Sequence, residues 1–139
     1  MNFEEVAATI VDASLWLHRR LGPGLLESVY ESLLTQELRR RGLRVDRQRA
    51  VDFELDGLLF REGFRVDMVV ENLVLIELKS VEKVTPVHWR QVLTYLRILD
   101  LPVGLLINFG GATLKEGLHR VINDYRLSGA PAVSWRVRR

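Results

Sequence analysis

The stretch Leu73-Val74-Leu75-Ile76-Glu77-Leu78-Lys79-Ser80 decides how the fold of this 139-residue chain is interpreted. It is a largely apolar run of the kind that forms a buried strand, yet Glu77 and Lys79 interrupt it. Burying an unpaired charge is expensive, so a buried strand carries two charged side chains where a function needs them. Because side chains alternate between the faces of a strand, we expect Glu77 and Lys79 on one face, about 7 Å apart.

A third charged residue, Asp67, interrupts the preceding run, Phe64-Arg65-Val66-Asp67-Met68-Val69-Val70. We interpret that run as the strand adjacent to the one that carries Glu77. Two carboxylates and a lysine that converge at a sheet are typical of metal-dependent phosphodiesterases. The competing interpretation is an edge strand on which Glu77 and Lys79 form a solvated ion pair.

The expected metal is Mg²⁺, or Mn²⁺ in its place, because such cations prefer oxygen ligands. Asp67 and Glu77 would supply carboxylates, and the backbone carbonyl of Leu78 would add a third protein oxygen. The ion lowers the pKa of a bound water. Lys79 would orient or help to deprotonate that water and offset negative charge on the scissile phosphate.

The segment Gly24-Leu25-Leu26-Glu27-Ser28-Val29-Tyr30 contains a second group of candidates. Glu27 falls in the first turn of a predicted helix, where an acid complements the helix dipole. The functional alternative is an additional carboxylate at the metal. Tyr30 lies one turn along the same face, where it would pack in the core or line a cleft and contact substrate.

The segment from His88 to Tyr95 contains a third group. His88, Gln91 and Tyr95 are spaced three and four residues apart, so they form one polar stripe on the helix that follows the Glu77 strand. Such a stripe would reach the site and contact phosphate or the attacking water. The alternative is an ordinary exposed helix face, with His88 at the surface.

The composition excludes several classes of protein. The chain is 47% hydrophobic and 27% charged, as in globular proteins, and it has no cysteine for disulfides or thiolate metal sites. No apolar run approaches the roughly 20 residues of a membrane span. The N-terminal residues are acidic early and lack the basic region of a secretory signal. We therefore expect a cytoplasmic protein with no membrane partner.

The charge pattern gives limited support to a nucleic-acid partner. The net charge is only +2. Basic clusters occur at Arg39-Arg40-Arg41 and in the tail at Arg136, Arg138 and Arg139. Clusters of this kind contact phosphates or are simply solvated, and both interpretations remain open.

The pattern of apolar residues and turn signals predicts two helices, three strands, a helix and a strand, at about 4–21, 26–41, 44–55, 58–70, 73–79, 86–99 and 103–109. The second strand is either continuous or broken at Glu62-Gly63, and a break would give four strands in place of three before the third helix. Residues 114–122 fit either a short helix or an edge strand. This order predicts an α/β fold with a mixed sheet. We predict a single domain over 1–127 and a loose basic tail over 128–139.

Together the motifs resemble the GxxExxY proteins, a branch of the PD-(D/E)xK nuclease superfamily. The resemblance runs from about residue 4 to Asn123. The matching stretches are Leu21 to Tyr30, Arg65-Val66-Asp67, Ile76 to Glu82, His88 to Leu96 with Gln91 and Tyr95, and Leu105 to Gly110.

This resemblance implies a restriction-endonuclease-like core, in which a mixed central β-sheet is flanked by helices. It also implies metal ligands at Asp67 and Glu77, with Lys79 as the motif lysine. Glu27 matches the acid that the superfamily often places on its first core helix. Gln91 and Tyr95 are similar to the extra motif of the RecB-like branch.

The leading hypothesis is a Mg²⁺- or Mn²⁺-dependent nuclease that hydrolyses phosphodiester bonds, with DNA as the expected substrate. The alternative is a catalytically silent module that binds nucleic acid or protein on a nuclease fold. A homodimer is a further possibility, because many nucleases of this size pair to cut two strands.

Overall fold

The computed structural model describes residues 1–124 and the backbone of 135–138. The elements in chain order are α1 (Phe3–Leu21), α2 (Glu27–Arg40), β1 (Val45–Leu55), β2 (Leu58–Val70), β3 (Val74–Lys79), α3 (Pro86–Leu99), β4 (Val103–Asn108), α4 (Leu114–Gly117), β5 (Leu118–Ile122) and β6 (Trp135–Arg138).

The strands form one mixed sheet in the order β5-β4-β3-β2-β1-β6. β3 and β4 run parallel, and α3 is the crossover helix between them. The other neighbouring pairs are antiparallel. The predicted fold class is confirmed: an α/β fold with a mixed central sheet flanked by helices, consistent with a restriction-endonuclease-like core.

Helix boundaries follow from capping residues. Asn2 accepts a hydrogen bond from the Glu5 amide, and the Glu5 side chain accepts one from the Asn2 amide, a capping box that starts α1. Pro86 opens α3, since its missing N–H would be unpaired there. α3 ends at Leu99, and its C-cap residue Asp100 adopts a left-handed conformation with φ 56°.

The central strands β3 and β4 are buried on both faces of the sheet, which explains their near-continuous apolar runs. Val74, Ile76 and Leu78 pack in the core on the side of α1 and α2. Leu75 faces the second core, where it packs with residues of α3. The same alternation places the Glu77 side chain opposite to those of Ile76 and Leu78.

The β1–β2 hairpin contains two backbone irregularities. Asp56 and Gly57 form the predicted turn, both with positive φ (51° and 81°). Of the two alternatives for β2, the structure has the continuous strand, with a bulge at Glu62-Gly63 where the register shifts opposite Asp52. Glu62 has φ 46° and donates its amide to Asp52 Oδ1 at 2.7 Å.

The C-terminal part differs from the prediction in two respects. Residues 114–122 form both alternatives in succession, the turn α4 and then the edge strand β5, which pairs with β4. The expected loose tail is wrong for residues 135–138, because β6 pairs with β1 and joins the sheet. Residues 128–134 and 139 lie outside the described residues, and the domain boundary at 127 stays a prediction.

Among the helices of the described chain, none has both the length and the apolar character needed to cross a membrane.

Candidate active site

Asp67 and Glu77 lie where the β2–β3 ladder ends. The last strand pair is Met68 opposite Ile76. One residue further, the Asp67 amide donates to Glu77 Oε1 at 3.1 Å, and the Leu78 amide donates to Asp67 Oδ2 at 2.8 Å. The two carboxylates therefore accept the backbone hydrogen bonds that strand carbonyls would have accepted had the ladder continued.

These hydrogen bonds explain how the chain tolerates acids in an apolar sheet. Glu77 is only 6% exposed, and Asp67 is partly buried. A buried carboxylate is costly unless donors satisfy it, and here each acid receives a backbone N–H. The arrangement also holds the two carboxylates side by side, because each is tied to the backbone of the other's strand.

Burial opposes the ionisation of both acids. Burial, together with the charge of Asp67, raises the pKa of Glu77 to about 8, although the Lys79 ammonium opposes the shift. Burial also raises the pKa of Asp67, against the hydrogen bond from Leu78, and the charge of Glu31 adds to the increase. The structure thus brings Lys79 within electrostatic reach of Glu77.

A cleft of about 750 Å³ opens beside Asp67. Its described lining comes from the start of α2 and from strands β1 to β3: Leu25, Leu26, Glu27, Ser28, Glu31, Gln48, Asp67, Leu78 and Ser80. Three acidic residues, Glu27, Glu31 and Asp67, therefore line the same cleft. Glu77 is buried behind this lining and contributes through its contact with Asp67.

Glu27 joins the start of α2 to the end of β3. Its Oε1 accepts the Ser80 amide at 3.3 Å, and Ser80 Oγ donates to the Leu25 carbonyl at 2.6 Å. The carboxylate is exposed in the cleft and also lies at a helix N-terminus, so both interpretations of this residue fit its position. Its role as a metal ligand stays a prediction.

Two residues beside Asp67 were not identified from the sequence. Glu31 is 6% exposed, and its carboxylate accepts hydrogen bonds from Arg47 at 2.9 Å and from the Gln48 side-chain amide. The same Gln48 amide donates to Asp67 Oδ1 at 3.3 Å. The one available signal was the spacing of Glu31, four residues after Glu27 and hence on the same helix face.

The α3 candidates divide into two groups. Tyr95 is partly buried and stacks on Phe64 with 4.3 Å between ring centroids. Burial raises its pKa, the nearby charge of Glu77 adds to the increase, and a hydrogen bond with Gln91 opposes it. Tyr95 and Gln91 are thus placed beside the acid pair. His88 caps its own helix instead, because its Nδ1 accepts the Thr85 amide at 3.1 Å.

Tyr30 is a core residue, and its predicted role in substrate binding is wrong. The side chain has no exposed surface, and its ring stacks on Phe109 with 4.5 Å between centroids. Its hydroxyl donates to the Gly22 carbonyl at 2.6 Å and accepts the Leu25 amide at 3.2 Å. Tyr30 therefore holds the loop that leads to Glu27 and cannot touch a substrate.

The donor set suits a magnesium ion, although it is sparse. Within the described residues, no three His, Cys, Asp or Glu side chains form a cluster that could hold a metal. Mg²⁺, however, is commonly bound by one or two carboxylates and completes its shell with water and substrate phosphate. The N–H and C=O of a strand residue point to the same side, so the Leu78 carbonyl faces the gap beside Asp67.

A comparison with protein families identifies a superfamily for this chain. The model of the PD-(D/E)XK nuclease superfamily matches residues 4–121. No curated protein and no solved structure matches the chain significantly. The family match spans both core helices, the strands with Asp67 and Glu77, and α3. The chain therefore belongs to the PD-(D/E)XK nuclease superfamily.

Proposed function

We propose that this protein is a nuclease of the GxxExxY branch that uses Mg²⁺ or Mn²⁺ to hydrolyse phosphodiester bonds in DNA. The observation that carries the proposal is the pair of coupled carboxylates at the end of the β2–β3 ladder. Structural needs alone do not explain two adjacent acids with a lysine in reach, since burial raises the pKa of both and the charge of Asp67 also opposes the ionisation of Glu77. Superfamily membership supports the same reaction.

The chain's own residues have distinct proposed roles. Asp67, Glu77 and the Leu78 carbonyl would hold the metal, with Glu27 as a further acid across the cleft. The bound ion would supply an activated water and neutralise charge on the phosphate. Lys79 would orient or help to deprotonate that water, and its charge would partly offset that of the phosphate.

The substrate side of the proposal involves α3. Tyr95 and Gln91 share a hydrogen bond and lie beside the acids, so they are proposed to contact the phosphate or the water. His88, which caps α3, would contact the substrate strand further from the acids. A cytoplasmic location and a homodimer that cuts both strands belong to the same proposal.

Cleavage assays with variants test this function. Purified protein is incubated with Mg²⁺ or Mn²⁺ and supercoiled, linear or single-stranded DNA, with RNA alongside. We expect cleavage by the wild type and a loss of at least about 100-fold in Asp67→Ala and Glu77→Ala. Chelation of the metal should have the same effect.

Glu37→Gln is the matched control for these variants. Glu37 is 7% exposed, much like Glu77, but its carboxylate pairs with Arg40 and Arg41 away from the cleft. This variant should lose stability and keep cleavage. Intact substrates in every wild-type reaction, together with retained DNA binding, would instead identify a catalytically silent binding module.

A further inference from the structure

Gln48 has an unusual backbone conformation for its place in the fold. It lies within β1, between Arg47 opposite Met68 and Arg49 opposite Val66, so it stands opposite Asp67. Its φ is 45°, in the left-handed region that favours glycine. A strand interior normally has φ near −120 to −140°, so this residue departs strongly from its neighbours.

The other left-handed residues have ordinary local explanations. Among the described non-glycine residues, they lie in turns, at the β2 bulge or at a helix end: Asp56, Glu62, Glu71, Asn72 and Asp100. Gln48 differs from these because it is flanked by regularly paired strand residues. Strain of this kind persists only where the surroundings enforce it, and it is often found at functional sites.

The Gln48 side chain explains what the strain achieves. A side-chain amide has two N–H donors, and the nitrogen of Gln48 donates to Glu31 Oε1 and to Asp67 Oδ1. The opposite orientation of the amide would place its oxygen against two carboxylates. The acids therefore fix the orientation of the amide, and the amide fixes the distance between the acids.

This contact completes the restraint of the Asp67 carboxylate. The Leu78 amide holds Oδ2, and the Gln48 amide holds Oδ1. Glu31 is itself anchored, because Arg47 binds its other oxygen at 2.9 Å. The carboxylate of Asp67 is thereby held at both oxygens, and each oxygen keeps a lone pair for another partner.

We propose that Gln48 is a positioning residue, whose strained backbone presents its amide to Asp67 and orients that carboxylate for a divalent cation. The proposal rests on the proposed function, because it assigns Asp67 as a metal ligand. Groups that orient metal ligands typically change metal affinity or activity 10- to 100-fold when they are removed.

Two substitutions separate positioning from a merely structural role. Gln48→Gly removes the amide and relieves the backbone strain, whereas Gln48→Ala removes the amide and keeps the strain. Mn²⁺ binding is measured by calorimetry, cleavage by kinetics, and stability by thermal unfolding without metal. We expect both variants to bind Mn²⁺ at least about tenfold more weakly and to cleave DNA at least about tenfold more slowly.

The thermal stability of the Gln48→Gly variant should not fall together with its Mn²⁺ affinity. Gln48→Gly should unfold at a higher temperature than Gln48→Ala, and no lower than the wild type, despite its weaker metal binding. Glu62→Gly is the matched control, because Glu62 has nearly the same φ of 46° but lies in the exposed bulge. It should keep wild-type Mn²⁺ affinity.

The outcomes distinguish this inference from the proposed function. If the wild-type protein binds Mn²⁺ and both Gln48 variants bind it with the same affinity, the positioning role is overturned and the nuclease proposal stays intact. A Gln48→Gly variant that is less stable than Gln48→Ala would also overturn it, since the strain would then have no part. A wild-type protein that binds no Mn²⁺ would overturn both.

Discussion

Glu77 Oε1 accepts the backbone amide of Asp67 at the first position where β2 and β3 stop pairing. A second hydrogen bond runs in the opposite direction between the strands: the amide of Leu78, the residue after Glu77, donates to the Asp67 carboxylate. Because these acids take over the role of strand carbonyls, they remain adjacent in a site with little water around Glu77. Adjacency and burial both oppose ionisation, so the properties of the pair depend on pH.

Glu77 should make the protein less stable as the pH rises. Its pKa is raised from an ordinary value of 4.5 to about 8, so the folded state keeps a proton that the unfolded state has lost. Stability then falls between those two pH values. Glu77→Gln removes this dependence and should be more stable than the wild type above pH 8, by on the order of 5 kcal/mol, since the pKa rises from 4.5 to about 8.

Urea unfolding at intervals from pH 4 to pH 9 measures this effect. The difference in the free energy of unfolding between the wild type and Glu77→Gln reports the titration of Glu77 alone, because the remaining groups titrate in both proteins. The two stability curves should approach each other below pH 4.5, where the Glu77 carboxyl is protonated in both folded and unfolded wild type. Curves that stay parallel over the whole range would show that the burial of Glu77 has no such consequence.

A divalent metal should reverse that loss of stability. Mg²⁺ or Mn²⁺ binds ionised carboxylates, so its affinity should rise with pH until Glu77 is deprotonated at about pH 8 and then level off. Ligand binding to the folded state raises the unfolding temperature. The increase in unfolding temperature caused by an excess of Mg²⁺ should therefore be larger at pH 8 than at pH 6.

Asp67→Asn is the control for the metal experiment. It keeps the size of the side chain and an acceptor for the Leu78 amide, but it loses the charge. The Mg²⁺-dependent increase in unfolding temperature should vanish in this variant at both pH values. An equal increase in the variant and the wild type would assign the cation to some other part of the surface.

The sequence predicted those parts of the site that depend on local pattern. Charges in the apolar β3 run pointed to Glu77 and Lys79, and the preceding run, which Asp67 interrupts, was interpreted as the neighbouring strand. Helix limits were predictable because Pro86 and the glycine-rich loop after Leu21 end or begin elements by their own backbone preferences.

The remaining parts depend on contacts between residues that are distant in the chain. Gln48 meets Glu31 and Asp67 only because α2, β1 and β2 converge, and its left-handed backbone has no signature in a glutamine. The same applies to β6, whose pairing with β1 joins residues about 80 positions apart. Tyr30 was ambiguous because a polar aromatic suits either a core or a cleft.

Tyr30→Phe tests the corrected role of that residue. The variant keeps the ring that stacks on Phe109 but leaves the Gly22 carbonyl and the Leu25 amide without their hydroxyl partner. We expect a loss of about 1–3 kcal/mol in the free energy of unfolding. Substrate affinity of the folded variant should match the wild type, and a raised KM with unchanged stability would restore the substrate-binding role.

Asn108 should control the rigidity of the segment that follows Lys79. It is 3% exposed, its Oδ1 accepts the amides of Val81 and Gly110 at 3.0 Å, and its Nδ2 donates to the Val81 carbonyl at 2.9 Å. The side chain thereby extends the β3–β4 pairing by one rung into the loop. Asn108→Ala would leave these backbone groups unpaired and should cost on the order of 3 kcal/mol.

Hydrogen exchange tests the local effect of Asn108, since a global loss of stability alone would not show where the loop opens. The amides of Val81 and Gly110 should exchange faster in Asn108→Ala than global unfolding of that variant predicts. Asn108→Asp, compared at acidic pH where its carboxyl is protonated, is the conservative variant, because it keeps the acceptor for both amides and an O–H donor for the Val81 carbonyl. It should protect both amides nearly as well as the wild type, whereas equal exchange in the two variants would contradict the extended pairing.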